Sequence, residues 1–237
     1  MKATWLARMA YLAVLTAVVV GVVVSQAHMI SMPCEEDPMD HIGVLEPGDI
    51  ILTSHKHLLM NVFMPGDFSH AMLFYGYVDG EPYVVHATRP EVRFERLTRE
   101  IFEQRHCPYA FLRVKGVAPE VRLEVVEWAR SKVGLPYDRN HMDKQVEGDS
   151  YYCSELVWAA YMAVAGVDID ANPGLGLFPF TWNSVTPQEI YDDDDTEVLW
   201  EYYPRPFLPD HLIYPALFSI PVYLAIELVL WLRRRRR

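Results

Sequence analysis

The stretch "DSYYCSELVWAAY", residues 149–161, places a cysteine at the start of an apolar, helix-like run. Two interpretations of Cys153 are open. Cysteine is among the residues most often buried, so this thiol could simply pack in the core. Alternatively, Cys153 could be a nucleophile, because the N-terminus of a helix offers unpaired backbone N–H groups and a partial positive charge that favour a thiolate. The rest of the sequence has to distinguish a core thiol from a catalytic one.

Around this segment, short strand-like stretches come first, helix-like stretches follow, and one strand closes the region. That order is typical of an α+β domain with an antiparallel sheet. The predicted strands lie in "LEPGDIILTS" (45–54), "SHAMLFYGYV" (69–78), "PYVVHAT" (82–88), "EVRFERL" (91–97), "PYAFLRV" (108–114) and "TEVLWEYY" (196–203). The predicted helices are "TREIFEQ" (98–104), "APEVRLEVVEWARSKVG" (118–134), the Cys153 segment up to about Val164, and "TPQEI" (186–190).

Two histidines, His70 and His86, fall in neighbouring predicted strands. A thiol needs a base at neutral pH, and a base needs a partner that fixes its tautomer. A three-residue hairpin loop, Val78-Asp79-Gly80, would place both histidines on one face of the sheet. A two-residue loop would shift the register by one and send them to opposite faces. The catalytic interpretation therefore predicts the three-residue loop.

The chain contains three cysteines, and in an oxidising compartment at least one stays unpaired. If Cys34 and Cys107 pair, Cys153 is the free thiol that a nucleophile requires. The sequence leaves this pairing open.

The N-terminal segment 1–27 is predicted to be a transmembrane anchor. No Asp, Glu, Lys or Arg occurs from Met9 to Cys34, and residues 11–27 are almost entirely apolar. A cleaved signal peptide is the alternative, because Ser25-Gln26-Ala27 resembles a cleavage site. Residues 28–44 form a polar, proline-containing linker.

The C-terminal segment 211–237 is predicted to be a second transmembrane helix. Residues 212–232 are long enough to span a bilayer and are followed by five arginines. Pro215, Pro221 and Glu227 leave open an amphipathic helix on the membrane surface. Because positive flanks stay in the cytoplasm, both termini are expected to be cytoplasmic and the domain between them extracytoplasmic.

The segment between the two apolar ends is strongly acidic. Residues 28–211 hold 31 acidic and 14 basic residues, a formal charge of −17. Such a charge repels nucleic acid, so nucleic-acid binding is not expected. The expected partners are the lipid bilayer and an amide- or acyl-containing substrate, either a cell-envelope peptide or a lipid.

Six short motifs, in order, carry a resemblance to a known family. These are "PGDIIL", "FSHAMLFYG", "YVVHAT", "GLPYD", "YYCSELV" and "TPQEI". The region from about Leu45 to Tyr202 resembles the circularly permuted papain-like cysteine hydrolases of the YaeF/YiiX group, which are related to NlpC-type peptidases and to lecithin–retinol acyltransferase. The hydrolase domain is accordingly predicted to span residues 45–204. The histidine precedes the cysteine, as in the permuted members. The resemblance implies a papain-like antiparallel sheet packed on the nucleophile helix.

The resemblance also implies roles for individual residues. Cys153 matches the nucleophile, His70 the base, and His86 the polar residue that orients the base. Tyr137 of "PYD" matches a motif tyrosine, for which an oxyanion or substrate role is one interpretation and simple aromatic packing is another. No cofactor and no metal are expected.

The sequence leaves three alternatives to an amidase or peptidase open. The histidines His55, His57, His70, His86 and His106 could form a zinc site, although their spacing matches no known pattern. A non-catalytic binding module on the same fold is a second alternative. A thiol-dependent lipid acyltransferase or lipid hydrolase is a third, because membrane tethering suits a lipid substrate.

Overall fold

The computed structural model describes residues 33–55, 66–141, 143–171 and 183–203, together with 8, 11–17, 20–21, 24 and 223. The chain divides into two compact units. One consists of Met1–Met32 and Arg205–Arg237, and the other is Pro33–Pro204.

In the first unit, residues 11–17 are helical and the rings of Tyr11 and Tyr223 stack with centroids 4.1 Å apart. Most of the two predicted membrane segments, 1–27 and 211–237, lies outside the described residues. Among those that are described, no helix is both long and apolar enough to cross a bilayer.

The second unit is built on one antiparallel sheet of six strands in the order β4-β3-β2-β1-β5-β6. The strands are β1 (Ile50–His55), β2 (His70–Val78), β3 (Glu81–Ala87), β4 (Val92–Arg96), β5 (Arg105–Val114) and β6 (Thr196–Tyr202). The helices are α1 (Arg99–Gln104), α2 (Pro119–Ser131), α3 (Cys153–Ala165) and α4 (Pro187–Asp192), and two 3-10 turns, Pro38–Asp40 and Ile42–Val44, precede β1. The predicted α+β class and antiparallel sheet are confirmed.

The sheet has a buried core on each face, because side chains alternate along every strand. On one face, Ala71 and Leu73 pack in a cluster with residues of α2 and α3. On the other face, Met72 and Phe74 pack with Phe102 of α1 and with Leu45, which follows the linker. A disulfide between Cys34 and Cys107 ties the linker to β5 on this second face.

The helix α3 carries Cys153 as its first residue and ends at Gly166, which adopts the left-handed conformation with φ +66°. At its start, the buried Glu155 carboxyl accepts hydrogen bonds from the backbone N–H groups of Tyr152 (3.1 Å) and Gln145 (3.0 Å). These bonds hold the preceding loop on the first turn and thereby position Cys153.

The β2–β3 hairpin differs from the prediction. Val78 pairs with Glu81, so its loop consists of Asp79 and Gly80 alone. Both have positive φ, +52° and +82°, as the tight two-residue loop requires. The predicted three-residue loop is therefore wrong.

A β-bulge in β2 nevertheless brings the histidines to one face. Phe74 pairs with Val84 and Gly76 with Tyr83, which leaves Tyr75 as an extra residue. One extra residue in β2 moves the side chains that precede it to the opposite face of the sheet. On the side of the bulge away from the loop, Leu73 therefore opposes Val85, which is the register expected for the three-residue loop. Gly76 allows the bulge because its φ is +115°.

Candidate active site

The thiol of Cys153 lies against the main chain at the start of β2. Only 4% of Cys153 is exposed, and its Sγ lies 4.0 Å from the carbonyl oxygen of Ser69. The backbone of Ala71 also hydrogen-bonds the sulfur. Ser69 and Ala71 flank His70 in the chain. Tertiary packing therefore brings Cys153 to the point of the sheet where His70 begins β2, although the two residues are 83 positions apart in sequence.

Burial raises the pKa of the Cys153 thiol above its ordinary value. The Ala71 hydrogen bond, the charge of Arg105 and hydrogen bonds with Ser154 lower the pKa, but they offset burial only in part. The N-terminus of a helix favours a thiolate, but at Cys153 the loss of hydration outweighs this effect and the pKa rises. The resting thiol is therefore protonated, and a base must remove its proton.

A chain of hydrogen bonds runs from His70 through His86 to Glu95. Nε2 of His70 lies 2.8 Å from Nδ1 of His86, and Nε2 of His86 lies 2.6 Å from a carboxyl oxygen of Glu95. Both imidazoles are buried, while the Glu95 side chain is 35% exposed. The predicted pairing of His70 with His86 on one face is present in the structure.

The charges of this chain determine where its protons lie. The hydrogen bond with His86 lowers the pKa of Glu95, which is ionised and acts only as an acceptor. Burial lowers the pKa of His86, more than the Glu95 contact raises it, so His86 is neutral and carries its proton on Nε2. Its Nδ1 then accepts from Nε2–H of His70. In a neutral His70 ring, Nδ1 then carries no proton, which is the state of a general base.

Arg105, the first residue of β5, links this chain to the thiol. Its Nη2 lies 3.3 Å from Nε2 of His70, and because Nε2 donates its proton to His86, this is a contact between two donors and not a hydrogen bond. The charge of Arg105 lowers the pKa of the Cys153 thiol. Burial lowers the pKa of Arg105 itself, and the charge of the Glu95 carboxylate partly opposes this effect. Arg105 therefore supplies a positive charge to the site.

Sequence reasoning missed both Arg105 and Glu95. The alternation in "EVRFERL" placed Glu95 on the same face as Arg93, but nothing in the sequence showed that this face met the histidines. In the structure, His86 opposes Arg93, and Glu95 is therefore its diagonal neighbour. Arg105 carried no signal, because its position depends on a pairing with β1.

Tyr137 lies close enough to Cys153 for an ionised thiol to affect the pKa of the tyrosine. Burial raises its pKa, and the charges of Arg89 and Arg105 oppose this effect. The guanidinium of Arg89 lies over the Tyr137 ring at 5.6 Å. A parallel bridge with Tyr151 holds Tyr137 close to the start of α3.

The histidines of the zinc alternative do not all converge. His57 and the side chain of His55 lie outside the described residues. His106 contacts the sulfurs of Cys34 and Cys107 instead, at 3.0 and 3.1 Å from its Nδ1. The disulfide between these cysteines leaves Cys153 as the one free cysteine of the three, as a nucleophile requires.

The fold and the site together define a class of protein. A cysteine begins a helix that packs on an antiparallel sheet, and the histidines of that sheet come earlier in the chain than the cysteine. This is the arrangement of a papain-like hydrolase whose chain is circularly permuted. The chain belongs to the permuted papain-like amidase family YaeF/YiiX, also called C92, whose family model matches residues 44–200. The expected resemblance is confirmed.

Two relatives illustrate the family. The crystal structure of metalloprotein yiiX from Escherichia coli O157:H7 is 21% identical, with a TM-score of 0.56 over 67% of this chain and 98% of that chain, and at this identity it shows the fold alone. The uncharacterized protein YycO of Bacillus subtilis is 39% identical over 66 residues. That match spans 27% of this chain and 27% of YycO, so the chain covers about a quarter of this relative.

Proposed function

We propose that the protein is a membrane-anchored, extracytoplasmic cysteine hydrolase that cleaves an amide or related acyl bond through an acyl-enzyme on Cys153. The observation that carries the proposal is the Glu95–His86–His70 hydrogen-bond chain, which ends at the stretch of backbone where the Cys153 sulfur lies. A buried, protonated thiol beside an unprotonated imidazole is the starting state for general-base attack.

In the proposed reaction, Nδ1 of His70 takes the proton from Cys153 Sγ as the sulfur attacks the substrate carbonyl carbon. The carbonyl π electrons move to oxygen, and the backbone N–H of Cys153 at the helix N-terminus donates to this oxyanion. When the oxyanion collapses, the C–N bond breaks and the amine leaves with the proton from His70. A water molecule, deprotonated by His70, then hydrolyses the thioester and frees Cys153.

His86 and Glu95 act on this reaction through His70. His86 is proposed to hold His70 in the tautomer that carries its proton on Nε2. The imidazolium that forms on His70 gains stability from the Glu95 carboxylate at the far end of the chain, because the two charges are opposite and little water screens them. Tyr137 is proposed to line the substrate site beside the thiol.

A catalytic assignment is tested most directly by Cys153→Ser. We expect a panel of peptide amides and acyl donors to include a compound that the wild-type protein cleaves, with a mass increase on Cys153 equal to the acyl group, and we expect Cys153→Ser to abolish both. Equal turnover by Cys153→Ser would contradict the proposal. Adding a lipid acceptor to the same assay separates hydrolysis from acyl transfer.

The proposed membrane topology rests on the positive charges that flank the two apolar segments. Lys2 and Arg8 precede the first apolar segment and five arginines follow the second, which supports cytoplasmic termini and a domain facing a cell-envelope peptide or lipid. Protease added to intact cells should then remove the domain. A fully protected domain would contradict this topology.

No metal is part of the proposed reaction, although the yiiX protein of Escherichia coli is described as a metalloprotein. Within the described residues, one group has ligand atoms close enough for a metal, namely Cys34, His106 and Cys107. Because the two sulfurs of this group are bonded to each other, they cannot bind an ion as thiolates. The donor set of this group therefore fits a disulfide beside a histidine and does not fit a metal site.

A further inference from the structure

A polar cavity of about 410 Å³ opens beside the His86–Glu95 pair, between β4 and α1. Three guanidinium groups border it, those of Arg93, Arg96 and Arg105. This concentration of positive charge is unusual for the chain, since residues 28–211 carry a formal charge of −17. Two carboxylates, Glu95 and Glu100, also line the cavity, and Glu95 is engaged by His86.

Arg93 is the guanidinium available to a ligand. Its residue is half-buried on β4, directly opposite His86. Arg96, by contrast, forms a salt bridge with Glu81. Across the parts of the domain that the structure describes, Arg93 has neither a salt bridge nor a side-chain hydrogen bond. A half-buried guanidinium facing a polar cavity is a binding site for a planar or tetrahedral oxyanion, because its donors match two oxygens at once.

Arg105 connects this cavity to the reacting thiol. It lines the cavity, lies 3.3 Å from Nε2 of His70 and exerts its charge on Cys153. Cys153 and His70 do not line the cavity themselves, and Arg105 is the residue that the cavity shares with the surroundings of the thiol.

We propose that the cavity is a subsite for an anionic group of the substrate, a carboxylate or a phosphate, held by Arg93. This inference rests on the proposed function and narrows it to acyl compounds that carry such a group. Arg93 acts here in specificity, and Cys153 and His70 perform the chemistry.

Binding is tested with the full-length protein in detergent. Inorganic phosphate and acetate are titrated in separate arms, which distinguish a phosphate from a carboxylate. Arg93→Gln should raise the dissociation constant of the preferred anion about tenfold, the loss of one charge-assisted contact. The matched control is Arg99→Gln, which removes the same charge from an exposed arginine paired with Asp37 outside the cavity, and it should leave binding unchanged.

Specificity is tested with three substrates that share one scissile amide and end in a carboxylate, a phosphate or a neutral carboxamide. The ratio of kcat/KM for the better anionic substrate to that for the neutral one should fall about tenfold in Arg93→Gln and stay constant in Arg99→Gln. If Arg93→Gln does not fold, Arg93→Lys replaces it, and a smaller fall of about threefold is expected because lysine keeps the charge without the fork.

The outcomes separate the two proposals. Turnover that depends on Cys153 but ignores the anionic group overturns the subsite and leaves the hydrolase intact. Arg93-dependent anion binding without any amide cleavage supports the site and overturns the hydrolase. Anion binding that Arg93→Gln does not weaken overturns the subsite.

Discussion

His86 donates from Nε2 to a Glu95 carboxyl oxygen across 2.6 Å, and this single contact orients the imidazole pair of the site. The two residues lie on neighbouring strands, β3 and β4. An ionised carboxylate can only accept, so the contact assigns the proton of His86 and, through it, that of His70.

Loss of the Glu95 carboxylate should weaken catalysis without removing it. In Glu95→Gln, the side-chain amide can donate as well as accept, so His86 no longer has a unique tautomer. We expect kcat to fall roughly tenfold to a hundredfold, the range typical of residues that orient a catalytic group. Glu91→Gln, an exposed carboxylate just before β4, is the matched control in the same kinetic assay. Equal kcat values for Glu95→Gln and Glu91→Gln would remove Glu95 from the site.

Alkylation of Cys153 should follow the raised pKa of its thiol. Because burial disfavours the thiolate, labelling by iodoacetamide should be slow at pH 7 and rise with pH through a pKa above the ordinary thiol value. Arg105→Gln should slow labelling at every pH, since it removes a charge that lowers this pKa. His70→Ala should slow labelling more than His86→Ala, because it removes the base itself.

The labelling rates are measured by following the alkylation of Cys153 over time by mass spectrometry. Arg99→Gln is the control for the positive charge that Arg105→Gln removes. A thiol that reacts only after unfolding would instead be a core thiol.

The disulfide between Cys34 and Cys107 should stabilise the domain. It closes a long stretch of chain, with a sequence separation of 73, and fixes the linker on β5. Replacing both cysteines by serine should lower the free energy of unfolding by about 2–4 kcal/mol, measured by urea denaturation. Cys153→Ser, which breaks no covalent bond, is expected to change it much less. Equal stability of the double variant and the wild type would show that the disulfide does not stabilise the domain.

Glu155 should make the domain less stable as the pH rises. Burial raises the pKa of this carboxyl to about 8, so the folded protein holds a proton that the unfolded chain releases above its ordinary pKa near 4.5. The stabilising contribution is therefore complete below pH 4.5 and is lost as the pH rises through about 8. The loss is on the order of a few kcal/mol.

Glu155→Gln has no proton to release, so its stability relative to the wild type should increase between pH 5 and pH 9 in urea titrations. Parallel stability curves for the two proteins would contradict the raised pKa. Glu189→Gln provides a comparison at the start of α4, where the backbone N–H of Thr186 donates to the Glu189 carboxyl.

The sequence by itself predicted the order of the elements and proposed Cys153, His70 and His86 as the catalytic residues. Short apolar runs, and alternation in residues 91–97, predicted the six strands, and the apolar run after Cys153 predicted its helix up to about Val164, because these signals are local. The position of His70 before Cys153 in the chain indicated the permuted members of the family. The role of Tyr137 beside the thiol stays a prediction.

Only the tertiary structure decided the register and the electrostatics. The two-residue loop at Asp79-Gly80 alone would have separated the histidines, and the bulge at Tyr75 restored their common face. Glu95 and Arg105 joined the site through pairings between strands that no local pattern encodes. The pKa of Cys153 rose rather than fell because a pKa depends on how much water packing removes, and the sequence of one helix contains no measure of what covers its first residue.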